Sequence, residues 1–278
     1  MSQNIAVITG VGGMGQAIAR RIGPGAHLLL ADLNEETLDT VAGQLRDEGY
    51  EVTSQTVDVA SHESVGALAE RAASLGEVRS VVHTARLPPF QADVPAILTV
   101  DLLGVALVLE EFGKVVAPGG AGVVIAGMAT YHHPPVSGTD ALELATIPAD
   151  QLLSLPILAP GNFVMASYAY GFAKQVSLLR VQAASTIWGA RGARVNAISP
   201  GVIGSPMSQA EPNGRHAAAL KTMIDASNAG RSGTPAEIAA AAEFLLSPAA
   251  GFICGTDLLV DGGVVAALRS GRIGRPTV

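Results

Sequence analysis

Short apolar runs alternate with helix-length amphipathic segments along nearly the whole 278-residue chain. The first run, Ile5 to Ile8, is followed by a helical pattern that ends at Ile22, and the last run is Leu258 to Val260. Repeated strand–helix units bury their apolar faces as parallel strands joined by crossover helices. No change in composition marks a second domain. The pattern therefore predicts an α/β fold with one domain over residues 1–278, a doubly wound parallel sheet of about seven strands with helices on both faces.

Composition agrees with this fold and argues against two other classes of protein. Hydrophobic residues make up 49% of the chain and charged residues 15%, which suits strands covered on both faces. No apolar stretch approaches the roughly 20 residues of a membrane span, so we expect no membrane insertion. The net charge is −7 without a basic cluster, which argues against nucleic-acid binding. One cysteine, Cys254, excludes an internal disulfide and fits a reducing cytoplasm.

Residues 131–162 interrupt the alternation. They contain five prolines and apolar residues without long periodicity. A connection this long inside a compact domain is usually a lid or a binding loop, and a poorly ordered insertion is the alternative. The chain ends in a short basic tail, residues 269–278.

A glycine-rich loop follows the first predicted strand and opens the first predicted helix. Gly10-Val11-Gly12-Gly13-Met14-Gly15 fits the pattern G-x-G-x-x-G. Glycines allow a tight turn there and let a pyrophosphate approach backbone N–H groups at a helix N-terminus. In this context the loop predicts a Rossmann-type dinucleotide site, and a plain tight turn is the alternative.

Asp32 ends the second predicted strand, 22 residues after Gly10. A carboxylate there can accept hydrogen bonds from the adenosine ribose hydroxyls and would repel a 2′-phosphate. The loop contains no Arg or Lys to offset that repulsion. Asp32 therefore favours NAD over NADP as the cofactor, although it can also cap the next helix.

Tyr170 and Lys174 lie four residues apart in a predicted helix and so share one face. A phenol is a poor acid or base near neutral pH unless a nearby ammonium stabilises the phenolate. The pair is a candidate for general acid/base catalysis. Tyr168 has no lysine four residues further on.

These motifs, together with several others, resemble the short-chain dehydrogenase/reductase family over nearly the whole chain. The further motifs are Asp58-Val59 after the third strand, the segment 194–201 around Asn196, Gly230-Arg231-x-Gly233-x-Pro235-x-Glu237, and Asp261-Gly262-Gly263. The resemblance implies an NAD(H)-dependent enzyme that interconverts a secondary alcohol and a ketone, with Tyr170 and Lys174 as catalytic residues. The cofactor-binding residues that it implies are Gly10, Gly12, Gly13, Met14, Gly15, Asp32, Leu33, Asp58, Val59, Thr84, Ala85, Tyr170, Lys174, Pro200, Gly201, Val202, Ile203 and Ser205.

Three positions depart from the family pattern. His83-Thr84-Ala85-Arg86 replaces Asn-Asn-Ala-Gly after the fourth strand, Gly127 falls at the catalytic serine position, and Asp101 at that of the catalytic asparagine. Thr130 is our candidate for the missing hydroxyl, with Ser137 and Ser167 as weaker ones, and an ordinary loop or cap hydroxyl is the alternative for each. Asp101 remains a catalytic candidate through the proton relay from Lys174. Arg86 either pairs with Asp101 or lies on the surface.

The substrate and the assembly are expectations from resemblance alone. The insertion and the C-terminal segment resemble bacterial 3-alpha-hydroxysteroid dehydrogenase/carbonyl reductases, so a hydroxysteroid or another lipophilic carbonyl is one hypothesis. The altered catalytic positions leave open an NAD-binding protein with little catalysis, acting as a sensor or scaffold. We expect a homodimer or homotetramer, and no metal, because His132 and His133 lack a third ligand in sequence reach.

Overall fold

The computed structural model describes residues 3–204 and 215–272. Its strands are β1 Asn4–Thr9, β2 His27–Asp32, β3 Glu51–Thr56, β4 Glu77–His83, β5 Val116–Ile125, β6 Arg194–Pro200 and β7 Asp257–Val260. Its α-helices are α1 Gly13–Ile22, α2 Glu35–Asp47, α3 His62–Leu75, α4 Val94–Ile97, α5 Gly104–Val115, α6 Gly138–Thr146, α7 Ala149–Leu152, α8 Ala166–Ala190, α9 Arg215–Ala226, α10 Pro235–Leu246 and α11 Val264–Arg269.

The seven strands form one parallel sheet in the order β3-β2-β1-β4-β5-β6-β7. The chain leaves β1 toward one edge through β2 and β3, then returns to build the other half from β4 onward. This reversal opens a crevice at the carboxyl ends of β1 and β4, where ligands bind in such sheets. The predicted fold class is confirmed.

Helices cover the sheet on both faces, with a separate apolar core beneath each layer. On one face α3, α5 and α8 pack against the strands around Val105, Val176 and Trp188. On the other face α1, α2 and α10 pack around Ile18 and Leu45. Because both faces are covered, the central strands are buried along nearly their whole length, which explains the unbroken apolar runs in the sequence.

The periodicity of residues 94–116 predicts one long helix, and the apolar run 123–126 predicts the fifth strand. In the structure the helix is interrupted, and strand five begins earlier. Between α4 and α5 the residues Leu98–Leu103 form a π-helical turn, a local widening that often occurs at functional sites. β5 starts at Val116, directly after α5, and runs through Pro118-Gly119-Gly120, which the sequence pattern indicates as a helix stop. The strand register against β4 shifts at this point, and this irregularity accommodates the proline and glycines.

The long insertion is folded and packed on the domain. It contains α6, α7 and two short 3-10 turns, Pro156–Leu158 and Pro160–Asn162. Leu144, Leu152 and Leu158 are buried in the same core as α5 and α8. Its role as a lid over a substrate stays a prediction.

In the described ranges no helix is both long and apolar enough to cross a membrane. Cys254, which its apolar neighbours favour as a buried residue, is exposed.

Candidate active site and its cofactor cleft

The glycine loop packs tightly against the segment that follows β4. Gly10 has φ +90°, and a Cβ there would lie 2.6 Å from the backbone nitrogen of Ala85. A Cβ on Gly15 would lie 2.0 Å from the carbonyl oxygen of Gly10. The Thr84 hydroxyl donates to the same carbonyl at 2.7 Å, which ties the two sides of the crevice together. These glycines are therefore required by packing within the protein itself.

Gly12 and Gly13 are different, because a Cβ on Gly12 would face open space and one on Gly13 would contact only the Pro235 side chain, at 3.8 Å. No described heavy atom lies within 4 Å of a Cβ built on Gly12, and both glycines are exposed. Gly12 is the N-cap of α1 and no side chain caps the helix there. Free N–H groups at a helix N-terminus with the positive end of its dipole form an anion-binding cradle. The loop thus fits the pyrophosphate of a dinucleotide, with Met14 in the first turn of α1.

Asp32 supports the glycine loop and does not cap α2. Its carboxylate accepts the Val11 N–H at 2.8 Å and the Asn34 N–H at 3.0 Å. The N-cap of α2 is Asn34, whose side chain accepts the Thr37 N–H at 2.8 Å. The alternative of Asp32 as a helix cap is therefore wrong, and the half-buried carboxylate lies at the carboxyl end of β2, beside the exposed Leu33.

The other predicted cofactor positions lie along the same edge of the sheet. After β3, Asp58 is exposed and accepts the Ala60 N–H at 2.9 Å, while Val59 is buried. After β6, the N–H of Gly201 donates to the carbonyl of Val260 at 2.9 Å, and a Cβ on Gly201 would lie 2.6 Å from the Cα of Asp261. The remaining predicted positions on this edge are Ala85, Pro200, Val202 and Ile203. Ser205 lies outside the described residues.

Tyr170 and Lys174 share one face of α8, as predicted, and both approach the end of β5. Lys174 is fully buried, and its Nζ lies 5.5 Å from the centre of the Tyr170 ring. The same Nζ lies 3.4 Å from the carbonyl oxygen of Ile125, the last residue of β5. Tyr170 itself is half-buried and therefore accessible from the crevice.

Asp101 pairs directly with Lys174. Its Oδ1 lies 2.9 Å from Lys174 Nζ, an ion-pair distance, although the angle is outside the range of a directed hydrogen bond. Its Oδ2 accepts the Leu87 N–H at 3.0 Å. Asp101 is fully buried in the π-helical turn. Arg86 forms no ion pair with Asp101, so that alternative is wrong, and the Arg86 side chain is partly exposed.

Gly127 lies directly opposite the phenol. A Cβ built on Gly127 would be 3.8 Å from the Tyr170 hydroxyl oxygen, with no other described atom within 4 Å. The backbone is extended there, with φ 166° and ψ 156°, a conformation that any residue adopts. The sequence position that the resemblance assigns to a serine thus lies beside the Tyr170 hydroxyl.

Thr130 does not reach this point. Its hydroxyl lies more than 4 Å from the Cβ position on Gly127, although it is buried and forms no hydrogen bond within the described chain. Ser137 and Ser167 are exposed. The catalytic role predicted for Thr130 stays a prediction.

Two family models match consecutive parts of the chain. One, described as short chain dehydrogenase, matches residues 4–131, and one, described as Enoyl-(Acyl carrier protein) reductase, matches residues 152–265. The chain is 40% identical to the short-chain dehydrogenase/reductase bsc3 of Alternaria brassicicola over 269 residues, which cover 96% of this chain and 98% of that protein. This chain belongs to the short-chain dehydrogenase/reductase family.

Other relatives widen the range of named activities. The chain is 33% identical to a D-threitol dehydrogenase of Mycolicibacterium smegmatis, over 93% of this chain and 92% of that protein. It is 27% identical to the 3-alpha-hydroxysteroid dehydrogenase/carbonyl reductase of Comamonas testosteroni, over 68% and 73%. A solved short-chain dehydrogenase/reductase from Serratia marcescens has the same fold, with a TM-score of 0.73, 20% identity and coverage of 95% and 98%.

His83, a buried residue near Lys174, was not identified from the sequence as a functional group. His83 is 1% exposed, its Nδ1 lies 2.7 Å from the Thr9 hydroxyl oxygen, and its Nε2 has no partner within the described chain. Burial, and to a smaller extent the nearby Lys174 charge, together lower the pKa of His83 to about 3. His83 is therefore neutral at physiological pH. Its place in the altered Asn-Asn-Ala-Gly motif was the available signal.

A second missed cluster links the loop after β5 to the last strand. The Tyr131 hydroxyl donates to Asp257, which also accepts the Ser199 hydroxyl at 2.8 Å. The Arg269 guanidinium lies 5.3 Å from the centre of the Tyr131 ring. Burial and the hydrogen bond to Asp257 raise the pKa of Tyr131 despite this nearby positive charge. This cluster fixes the segment that contains Gly127 and Thr130. The sequence contains no spacing signal for a contact between residues 126 positions apart.

A buried arginine holds the insertion on the domain. Arg180 of α8 donates to the carbonyl of Leu144 at 3.2 Å and to that of Ile147 at 2.5 Å, and pairs with Glu110 at 3.1 Å. Glu110 also accepts the Ala149 N–H at 2.9 Å. No group of acidic, histidine or cysteine side chains in the described ranges is arranged to hold a metal.

Proposed function

We propose that this chain is an NAD(H)-dependent oxidoreductase that interconverts a secondary alcohol and a ketone. The observation that carries the proposal is the half-buried Tyr170 hydroxyl. It lies beside the end of β5 with the buried Lys174 ammonium 5.5 Å from its ring. This is an acid/base group in an accessible crevice, next to a loop shaped for a dinucleotide.

Residues on two loops and on helix α8 would hold the cofactor. The open surface of Gly12 and the uncapped N-terminus of α1 suit the pyrophosphate. The family resemblance implies that the backbone near Val202 and Ile203 binds the nicotinamide amide. When bound, the oxidised nicotinamide ring supplies the hydride acceptor, which no amino-acid side chain provides. Lys174 and Tyr170 would flank the nicotinamide ribose, as the family resemblance implies.

Asp32 supports NAD as the cofactor. Its carboxylate is fixed by the N–H groups of Val11 and Asn34, so it cannot turn away from a ribose bound at the end of β2. No ion pair in the described chain neutralises it. A 2′-phosphate placed beside it would meet an uncompensated negative charge.

Tyr170 would exchange the proton of the substrate hydroxyl. In oxidation the phenolate accepts that proton, and in reduction the phenol returns it to the carbonyl oxygen. Lys174 supplies positive charge at the phenolate, and Asp101 fixes the position of the Lys174 ammonium. His83 is neutral near pH 7 because of its burial, so it adds no further charge there.

The names of the relatives support alcohols of two kinds as substrates. The D-threitol dehydrogenase acts, by its name, on a polyol, and the 3-alpha-hydroxysteroid dehydrogenase/carbonyl reductase on a hydroxysteroid. We further propose that the protein is a homodimer or homotetramer in the cytoplasm. Its substrates would be small-molecule alcohols or ketones.

Gly127 favours a second candidate function, a cofactor-binding protein with weak catalysis that acts as a sensor or scaffold. Loss of one hydrogen-bond donor to a developing oxyanion costs on the order of 10²–10³ in rate. In that case NAD would bind with ordinary affinity and no alcohol would be oxidised at a useful rate.

Two conservative variants test the enzyme proposal. Tyr170→Phe should lower kcat with NAD and an alcohol panel by about 10²–10⁴ because the acid/base group is lost, while calorimetric NAD binding persists. Tyr168→Phe is the matched control and should keep its activity, because Tyr168 packs against His133 and Phe163. Equal activity of Tyr170→Phe and the native chain would refute the mechanism. NAD binding without any turnover by the native chain would favour the second candidate.

A further inference from the structure

A space lies beside Tyr170 because residue 127 is a glycine, and neither the backbone conformation nor crowding requires a glycine there. Gly127 has extended dihedral angles that any residue adopts, so no left-handed conformation demands a glycine. Its nearest described neighbour would be the Tyr170 hydroxyl oxygen, 3.8 Å from a Cβ, so no crowding demands one either. This contrasts with Gly10 and Gly15, where a Cβ would overlap backbone atoms.

The backbone around this space is fixed on both sides. The N–H of Ala126 donates to the carbonyl of Ile198 at 2.8 Å, and the N–H of Thr130 donates to the carbonyl of Gly127 at 3.1 Å. Gly127 itself is buried. The space is therefore a defined feature of the site wall that accepts a Cβ in ordinary van der Waals contact with the Tyr170 hydroxyl oxygen.

No described side chain fills this space with a hydrogen-bond donor. Thr130 Oγ1 lies outside 4 Å of the Cβ position, and so do the Nε2 atoms of His83 and His132. Within 4 Å of this position, its two chain neighbours aside, the only polar atom of the described residues is the Tyr170 hydroxyl oxygen. A donor is still worth on the order of 10²–10³ in rate at such a position, and it can be supplied by the ligand.

Resting on the proposed function, we infer that the substrate is a vicinal diol or the corresponding α-hydroxy ketone, whose second hydroxyl occupies the space at Gly127. The reacting carbinol loses its C–H bond as a hydride, with both electrons, to the oxidised nicotinamide. Its hydroxyl proton passes to the Tyr170 phenolate, and the carbon–oxygen bond becomes a carbonyl. The neighbouring hydroxyl donates a hydrogen bond to the reacting oxygen throughout and is itself unchanged. A monohydric alcohol lacks this donor and leaves the space open.

A pair of matched substrates tests this inference. The native chain with NAD should oxidise cis-1,2-cyclohexanediol with a kcat/KM at least about tenfold above that for cyclohexanol, because only the diol brings its own donor. Gly127→Ser supplies a hydroxyl from the protein and should raise kcat/KM for cyclohexanol by on the order of 10² while it removes the preference for the diol. Gly127→Ala fills the space without a donor, so it should lose the diol reaction and leave cyclohexanol slow.

Binding gives a readout that does not depend on turnover. Ligand-observed NMR titration of the NADH-loaded protein should give a lower Kd for the diol than for cyclohexanol, and Gly127→Ala should remove that difference. Thr130→Val tests the competing donor: the ratio of kcat/KM for the diol to that for cyclohexanol should not fall in this variant, whatever the change in either rate.

Several results would overturn the inference. Equal rates for diol and monohydric alcohol in the native chain would indicate that water or a protein group provides the donor. In that case an equal loss with both substrates in Thr130→Val would identify Thr130 as that group. Diol and cyclohexanol binding with the same Kd would exclude recognition at Gly127 even if the enzyme were active. Failure of both the native chain and Gly127→Ser to oxidise either alcohol would instead refute the proposed function, and this inference with it.

Discussion

The buried pair of Lys174 and Asp101 should contribute strongly to stability, and a double-mutant cycle measures by how much. The two charges lie 2.9 Å apart with side chains 1% and 0% exposed. With an effective dielectric constant of about 20 the Coulomb attraction at this distance is about 6 kcal/mol, opposed by the cost of removing both ions from water. Asp101→Asn keeps the size of the side chain and an acceptor for the Leu87 N–H, but it leaves the ammonium buried without a counter-charge. We expect it to lower the free energy of unfolding by about 3–5 kcal/mol.

Equilibrium unfolding in guanidinium chloride at pH 7 measures the cycle. Lys174→Met leaves the Asp101 carboxylate buried alone and should cost a similar amount. The double variant buries neither charge, so its cost should be smaller than the sum of the single costs by about 2–3 kcal/mol. Asp225→Asn is the matched control, because Asp225 pairs with Lys221 on the surface with side chains 58% and 74% exposed. It should change stability by less than about 1 kcal/mol.

Activity separates the two roles of Lys174 in the same variants. The double variant should regain stability but not turnover, since the positive charge at Tyr170 is absent. The reasoning would be refuted if the single costs added within about 0.5 kcal/mol, or if Asp101→Asn cost no more than Asp225→Asn. Either result would show that the pair is not coupled in the folded protein.

Three further predictions concern the cofactor cleft and the buried His83. Asp32→Asn should lower the kcat/KM preference for NAD over NADP by about tenfold or more, because one charge-assisted hydrogen bond to the ribose is weakened and the repulsion of a 2′-phosphate is lost. Gly12→Ala should weaken calorimetric NAD binding without loss of stability, whereas Gly15→Ala should lower the midpoint of thermal unfolding, because its Cβ would lie 2.0 Å from the Gly10 carbonyl oxygen. His83 has a pKa of about 3 in the folded chain, so the unfolded chain binds more protons below about pH 6.5 and stability falls as the pH falls. His83→Asn should remove a contribution of about 1.4 kcal/mol per pH unit between pH 6 and 4 in urea titrations, and an unchanged slope would contradict the burial argument.

The sequence predicts those features that depend on local pattern. Strand–helix alternation predicts the single parallel sheet, and G-x-G-x-x-G after a strand predicts a loop that the structure forms from Gly10 to Gly15. The four-residue spacing of Tyr170 and Lys174 predicts a shared helix face, which the distance from Nζ to the ring centre bears out. In each case the sequence signal lies within one element or at its junction with the next turn, even where the resulting contacts, such as those of β1 with β4, join distant segments.

Features that depend on tertiary contacts have no signal in residue spacing, and only the family resemblance linked Asp101 to Lys174. Asp101 and Lys174 lie on different helices, and only the packing of α8 on the π-helical turn brings them together. The sequence predicts a lid for the insertion because its prolines break the helical periodicity. In the structure Arg180 and Glu110 hold the insertion on α5 and α8 through its backbone carbonyl and N–H groups. Backbone hydrogen bonds of this kind leave no trace in residue spacing.

Of the departures from the family pattern, only the glycine at position 127 leaves a catalytic interaction without a replacement. Asp101 gives the Lys174 ammonium a counter-charge, and His83 is neutral near pH 7, so the buried ionic balance beneath Tyr170 is complete without further groups. The positions that carry charge are therefore compensated, and only the position that would carry a neutral donor, Gly127, is not. A single missing donor changes a rate by on the order of 10²–10³, which is far less than the loss of the acid/base group and cofactor together. These observations favour an enzyme whose substrate supplies the missing hydrogen-bond donor over a protein that no longer catalyses the reaction. The response of Gly127→Ser to the two kinds of alcohol distinguishes the two possibilities.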